Sequence, residues 1–104
     1  MRLLATRARA YFSRVMTDDE WVEAFRATAE AAGIDAQLPA SWESRAARAT
    51  HVARTLAARL DATTDAELRK PVARAYARAF GLAVEAGRRA DAGGWLIRHP
   101  LDRP

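Results

Sequence analysis

Lys70, Arg74, Arg78 and Arg88 recur through the stretch KPVARAYARAFGLAVEAGRR. Wound as a helix at about 100° per residue, they fall within an arc of roughly 80° that only Glu85 interrupts. Such a ladder can neutralise phosphates. Each contact releases condensed counterions and reads no base, and an i, i+4 step of about 6 Å lets successive side chains meet phosphates along one strand. In the preceding segment Arg45, Arg48 and Arg59 share one flank, with Arg54 on the far side. Two such stripes on consecutive antiparallel helices would make one basic face about 25–30 Å long. A plainer reading fits the same spacing: the solvated side of a helix must carry something, and arginine is a good helix former. Sixteen of the seventeen bases are arginine, whose fork geometry suits phosphate. A GC-rich genome would produce the same bias, so placement carries more weight than residue type. Tyr76 and Phe80 sit at the edge of the apolar seam, where core packing competes with stacking on bases.

Other chemistry finds little to work with. His51 and His99 are far apart in the chain and lack the spacing that presents two metal ligands on one helix face. The absence of cysteine removes disulfides, thiolate catalysis and cysteine-based metal sites. Ser13, Ser41 and Ser44 have no adjacent base, and no GxSxG elbow is present. Gly93-Gly94 precedes Trp95, Leu96 and Ile97 rather than the Lys-Ser/Thr of a phosphate loop. Asp18, Asp19 and Glu20 are first-turn acids that complement a helix dipole. The expectation is a protein that is not an enzyme, with no catalytic residue, metal, cofactor or small-molecule substrate.

The elements that would carry the ladder follow from caps and breakers. Thr17-Asp18-Asp19-Glu20 is a capping box that opens a helix, and Gly33 closes it, with Ile34 folding back on the last turn. Ser41 is the next N-cap, followed by an apolar seam at Trp42, Ala46, Ala49, Ala53, Leu56 and Leu60. Thr64-Asp65-Ala66-Glu67 reads as a second capping box. Pro71 then implies a short turn over 65–70 and a kink or fresh start. The long helix that follows has its seam at Val72, Ala75, Ala79, Leu82 and Ala86, widened by Tyr76, Phe80 and Ala83, and ends near Gly93-Gly94. Leu4, Ala8, Tyr11 and Val15 repeat at helical spacing before Thr17. The resulting expectation is an all-α fold: one domain over 1–104, a bundle of four to five antiparallel helices with a short apolar C-terminal tail at 95–104.

Charge is uneven along this framework. Residues 1–16 hold four arginines and no acid, residues 17–43 hold seven acids against Arg26, and residues 44–104 hold twelve bases against six acids. The acidic helix would repel phosphate, so Glu23 and Glu30 are expected to face protein, a neighbouring copy among the candidates. Trp95, Leu96 and Ile97 are expected either to dock on the bundle or to meet another subunit, because large apolar side chains gain about 1.5–3 kcal/mol on burial. The apolar run Leu3–Ala5 is too short for a signal core or a membrane span. A cytoplasmic location away from membranes is expected.

The arginine stripes ARATHVARTLAAR and RKPVARAYARAF, in a cysteine-free, Ala/Arg-rich helical chain, resemble the small helical subunits of CRISPR effector ribonucleoproteins, bacterial antiviral complexes. The resemblance implies a non-catalytic, repeated subunit of an RNA–protein complex. Three roles compete on these grounds: a structural subunit that contacts RNA or single-stranded DNA through phosphates beside other protein subunits, a helical protein-binding adaptor, and a basic amphipathic protein at an anionic membrane surface.

Overall fold

Trp21 is completely buried, and its indole Nε1 donates to the main-chain carbonyl of Leu82 at 3.0 Å. That contact joins the first and last of three helices in the computed structural model, which describes residues 16–90. Helix α1 spans Asp18–Ala31, α2 spans Trp42–Ala62 and α3 spans Ala66–Ala90.

Each helix begins where a side chain satisfies its orphan amides. At α1 the Thr17 hydroxyl accepts from the Glu20 amide (3.1 Å) while the Glu20 carboxylate accepts from the Thr17 amide (2.8 Å), a complete capping box. At α2 the Ser41 hydroxyl accepts from the Ser44 amide at 3.2 Å. At α3 the cap is Asp65 rather than the expected Thr64: its carboxylate accepts from the amides of Glu67 (2.8 Å) and Leu68 (3.3 Å). Helix α1 ends as expected, with Gly33 at φ +70°. The amides of Gly33 and Ile34 return to the carbonyls of Glu30 (3.0 Å) and Ala29 (2.8 Å), which is the Schellman pattern.

The expectation of four to five helices is overturned, because the described residues hold three. Part of the excess came from Pro71. It lies inside α3, one turn from the start, and does not divide the helix. Its ring removes a single intrahelical bond, to the Glu67 carbonyl, while Asp65 has already capped the turn before it. Residues 65–70 are therefore the cap and first turn of α3. The helix expected over 4–15, the helix end at Gly93-Gly94 and the tail at 95–104 lie outside the described residues.

Helices α2 and α3, joined by Thr63–Asp65, pack along their length as an antiparallel hairpin. The interface is built from alanine: Ala46, Ala49 and Ala53 face Ala75, Ala79, Ala83 and Ala86, with Val52, Leu56 and Leu82 as the larger core side chains. Small residues let the helices approach closely but leave little apolar bulk, which α1 supplies. Trp21 stacks on Phe25 (centroids 5.4 Å, 5° between planes) and meets Trp42 edge-on (5.2 Å, 81°). Thr50, expected in neither seam, is buried with its hydroxyl unpartnered.

Trp21→Ala is expected to remove about 3–5 kcal/mol of stability, since it empties the centre of the core. Trp21→Phe keeps most of the stacked area but leaves the Leu82 carbonyl without its indole donor, and is expected to cost about 1–2 kcal/mol. Urea unfolding followed by circular dichroism reads both, and equal midpoints for Trp21→Phe and the parent would show that the hydrogen bond contributes nothing.

Candidate nucleic-acid interface

The arginines of α2 and α3 divide by what holds them. On α2, Arg59 Nη1 donates to the Ala32 carbonyl (2.5 Å), Arg48 Nη2 to Asp35 (2.6 Å) and Arg45 Nε to Pro39 (3.0 Å). Taken in order, the segment from Ala32 to Pro39 runs antiparallel to α2, and three successive guanidiniums hold it down as a strap. A non-helical segment leaves carbonyls with no intrinsic partner, and these side chains supply the donors. The Asp35 carboxylate, accepting from the Gln37 amide at 3.1 Å, shapes the turn within the strap. The α2 stripe is thus engaged with the chain's own carbonyls, and the continuous two-helix face expected from spacing is not presented by free guanidiniums.

Arg69, which the sequence reading did not single out, does the same at the end of α2. Its Nη1 donates to the carbonyls of Leu60 (2.5 Å) and Thr63 (2.7 Å), satisfying the C-terminus of that helix. Arg89 was missed as well. It is largely buried and binds Glu85 (3.0 Å), Asp18 (2.5 Å) and the Met16 carbonyl, so it ties the start of α1 to the end of α3. The guanidiniums of Arg89 and Arg45 also lie over the Trp42 ring, 4.7 and 4.6 Å from its centroid. Only tertiary contacts distinguish these residues, because on a helical wheel they look like any other flanking cation.

On α3, Lys70 pairs with Glu67 on the surface (3.1 Å), and the exposed Arg88 reaches the half-buried Glu85, which Arg89 also binds, at 4.0 Å. Such exposed pairs are weak and leave both partners available. Arg74 and Arg78 are exposed, and no carboxylate or carbonyl among the described residues engages them. They sit one turn apart, Arg74 on the outer side of α3 and Arg78 on the flank next to the buried row of Ala75, Ala79 and Leu82. Of the seven expected phosphate-binding residues, then, three hold the strap, two pair with separate carboxylates of α3 and two are unpaired among the described residues.

Glu23 and Glu30 are exposed on the outer face of α1, near Asp19 and Arg26. Trp95, Leu96, Ile97 and His99 lie outside the described residues. His51 is exposed on α2. Among the described residues no group of three or more acids or histidines is arranged to hold a metal ion, and no helix is long and apolar enough to cross a membrane. A depression lined by Asp35, Gln37, Leu38, Pro39 and Arg48 follows the strap and contains one carboxylate and one guanidinium that already have main-chain duties.

The two classes of arginine are expected to separate in unfolding experiments. Arg48→Ala and Arg59→Ala should each lower stability by about 1 kcal/mol, the net worth of a charged hydrogen bond discounted for exposure. Arg74→Ala and Arg78→Ala should stay within about 0.5 kcal/mol of the parent. Equal losses in all four would show that the strap contacts contribute no more than helix propensity.

Comparison of the chain with protein-family models, with curated proteins and with solved structures finds no match.

Proposed function

We propose that this protein is a non-catalytic subunit of a ribonucleoprotein assembly that holds the phosphate backbone of RNA or single-stranded DNA along α3. The observation that carries the reading is the pair Arg74 and Arg78, exposed, one turn apart and unpaired among the described residues. Every other cation of α2 and α3 has a partner within the fold. Folding explains the engaged arginines and does not explain these two. Lys70 and Arg88 extend the same side of the helix and can exchange a weak surface pair for a phosphate. The acidic outer face of α1, with Glu23 and Glu30, is unsuited to a polyanion and is assigned to neighbouring protein subunits, copies of the chain included. The likeness to CRISPR effector small subunits implies the same division of labour.

A phosphate-bound stripe discriminates poorly between sequences. Arg74→Glu/Arg78→Glu is expected to weaken RNA and single-stranded DNA of any sequence alike, and to flatten the slope of log affinity against log salt by about 1.4 for two lost contacts on a single strand. Fluorescence anisotropy across a salt series measures both quantities. If the double variant binds as the parent does, with an equal slope, the stripe is only a solvated face and a protein-binding adaptor is the better account. For α1, Glu23→Lys/Glu30→Lys should leave the isolated protein folded and remove it from complexes purified from cells at physiological salt; unchanged recovery would exclude that contact.

A further inference from the structure

Tyr76 and Phe80 stand one turn apart on the same flank of α3, yet they have different surroundings. Tyr76 packs against the hydrophobic core, whereas Phe80 is partly exposed and is not among the side chains packed on that core. Among the described residues its aromatic neighbour is Tyr76, at 6.0 Å between centroids and tilted by 56°. A phenylalanine held at the rim by one ring retains a face for another planar group.

Gly81 adds a second feature that folding leaves unexplained. It is exposed in the interior of α3, a Cβ built on it meets nothing within 4 Å, and among the described residues only Gly33 has positive φ. Neither backbone conformation nor intramolecular packing asks for glycine at this position, and glycine weakens a helix interior relative to alanine. With about 100° per residue, Ala73, Ala77 and Gly81 line the strip between Phe80 and the unpaired Arg74 and Arg78. Between Ala73 and Gly81 the outer face of α3 therefore carries, from one edge to the other, an aromatic ring, a floor of small residues that Val84 bounds one turn on, and two guanidiniums unpaired among the described residues.

We infer that this face seats a single-stranded nucleic acid, with an unpaired base stacked on Phe80, the sugar-phosphate chain crossing the floor at Ala77 and Gly81, and phosphates on Arg74 and Arg78. The inference rests on the phosphate-binding reading of α3 and goes further, because it selects single strands over duplexes. A duplex presents phosphates but hides the faces of its bases in the stack, whereas an unpaired base offers its face to an aromatic side chain. The missing Cβ at Gly81 lets a ribose chain approach the helix backbone.

The test uses the full chain and four labelled ligands or competitors in anisotropy: a single-stranded RNA, its duplex, the DNA strand of the same sequence, and poly-glutamate. The parent is expected to prefer single strands to the duplex. Phe80→Ala should lose roughly 5- to 150-fold in single-strand affinity, the range for one stacked base, and keep the parent's salt slope because no phosphate contact is removed. Phe80→Leu keeps most of the apolar volume and should lose affinity likewise, while Phe80→Trp retains it. Gly81→Ala should raise the thermal midpoint and lower single-strand affinity. Equal binding of strand and duplex by the parent, with Phe80→Leu indistinguishable from it, would overturn the stacking seat and leave the phosphate reading standing. Absence of RNA and DNA binding, or poly-glutamate binding as tightly as RNA, would overturn both and point to an acidic protein as occupant.

Discussion

The burial of one indole governs the arrangement of the described chain. Helices α2 and α3 meet through alanines, and an alanine interface brings backbones close without removing much apolar area from water. Trp21 supplies the missing bulk, and its polar N–H has to be satisfied once the ring is taken out of solvent. The Leu82 carbonyl meets that need because a main-chain oxygen has two lone pairs, and the small side chains of Ala83 and Ala86 leave it approachable. Phe25 and Trp42 then complete the aromatic cluster around the same ring. Without α1 the hairpin would expose the apolar groove that the indole fills.

Once α1 is seated, the chain between it and α2 has a fixed course and a set of carbonyls with no partner of their own. Arg59, Arg48 and Arg45 meet them in sequence, Arg69 closes the end of α2, and Arg89 clamps the start of α1 to the end of α3. Long side chains with several donors suit this work, since the stem lies along the helix surface while the guanidinium reaches a carbonyl on a neighbouring segment. Five of the eleven arginines and lysines among the described residues are therefore committed to the chain's own carbonyls. The outer face of α3 touches that network only through Glu85, which Arg88 and Arg89 both approach. Among the described residues its cations pair with Glu67 or Glu85 or have no partner, Ala73, Ala77 and Gly81 are exposed, and Phe80 lies at its rim. None of these features holds the helices together among the described residues, and their common location on one exposed face is what the proposed ligand site rests on.

Local chemistry made much of the framework legible. The Thr17 capping box, the Ser41 cap, the Gly33 terminator and the apolar seams of α2 and α3 involve neighbours within a few residues, so their physics is written in the order of the residues. Where the reading failed locally, two short-range effects competed. Asp65 outperformed Thr64 as a cap, and Pro71 was tolerated because it fell where only one hydrogen bond was at stake.

The candidate site shows the boundary between the two levels most plainly. Spacing alone placed Lys70, Arg74, Arg78 and Arg88 on one side of a helix and Arg45, Arg48 and Arg59 on one flank of another, which depends only on helical geometry. Which of those cations would be engaged depended on carbonyls 6 to 27 residues away, brought into reach by the strap. The same holds for Trp21 and Leu82, 61 positions apart, and for Tyr76 and Phe80, which periodicity cannot tell apart but the depth of the core separates. Residue order determined helix ends, faces and charge blocks because those are short-range properties. Tertiary structure decided which arginines are structural and which remain available, because a guanidinium's partner is set by where the rest of the chain comes to lie.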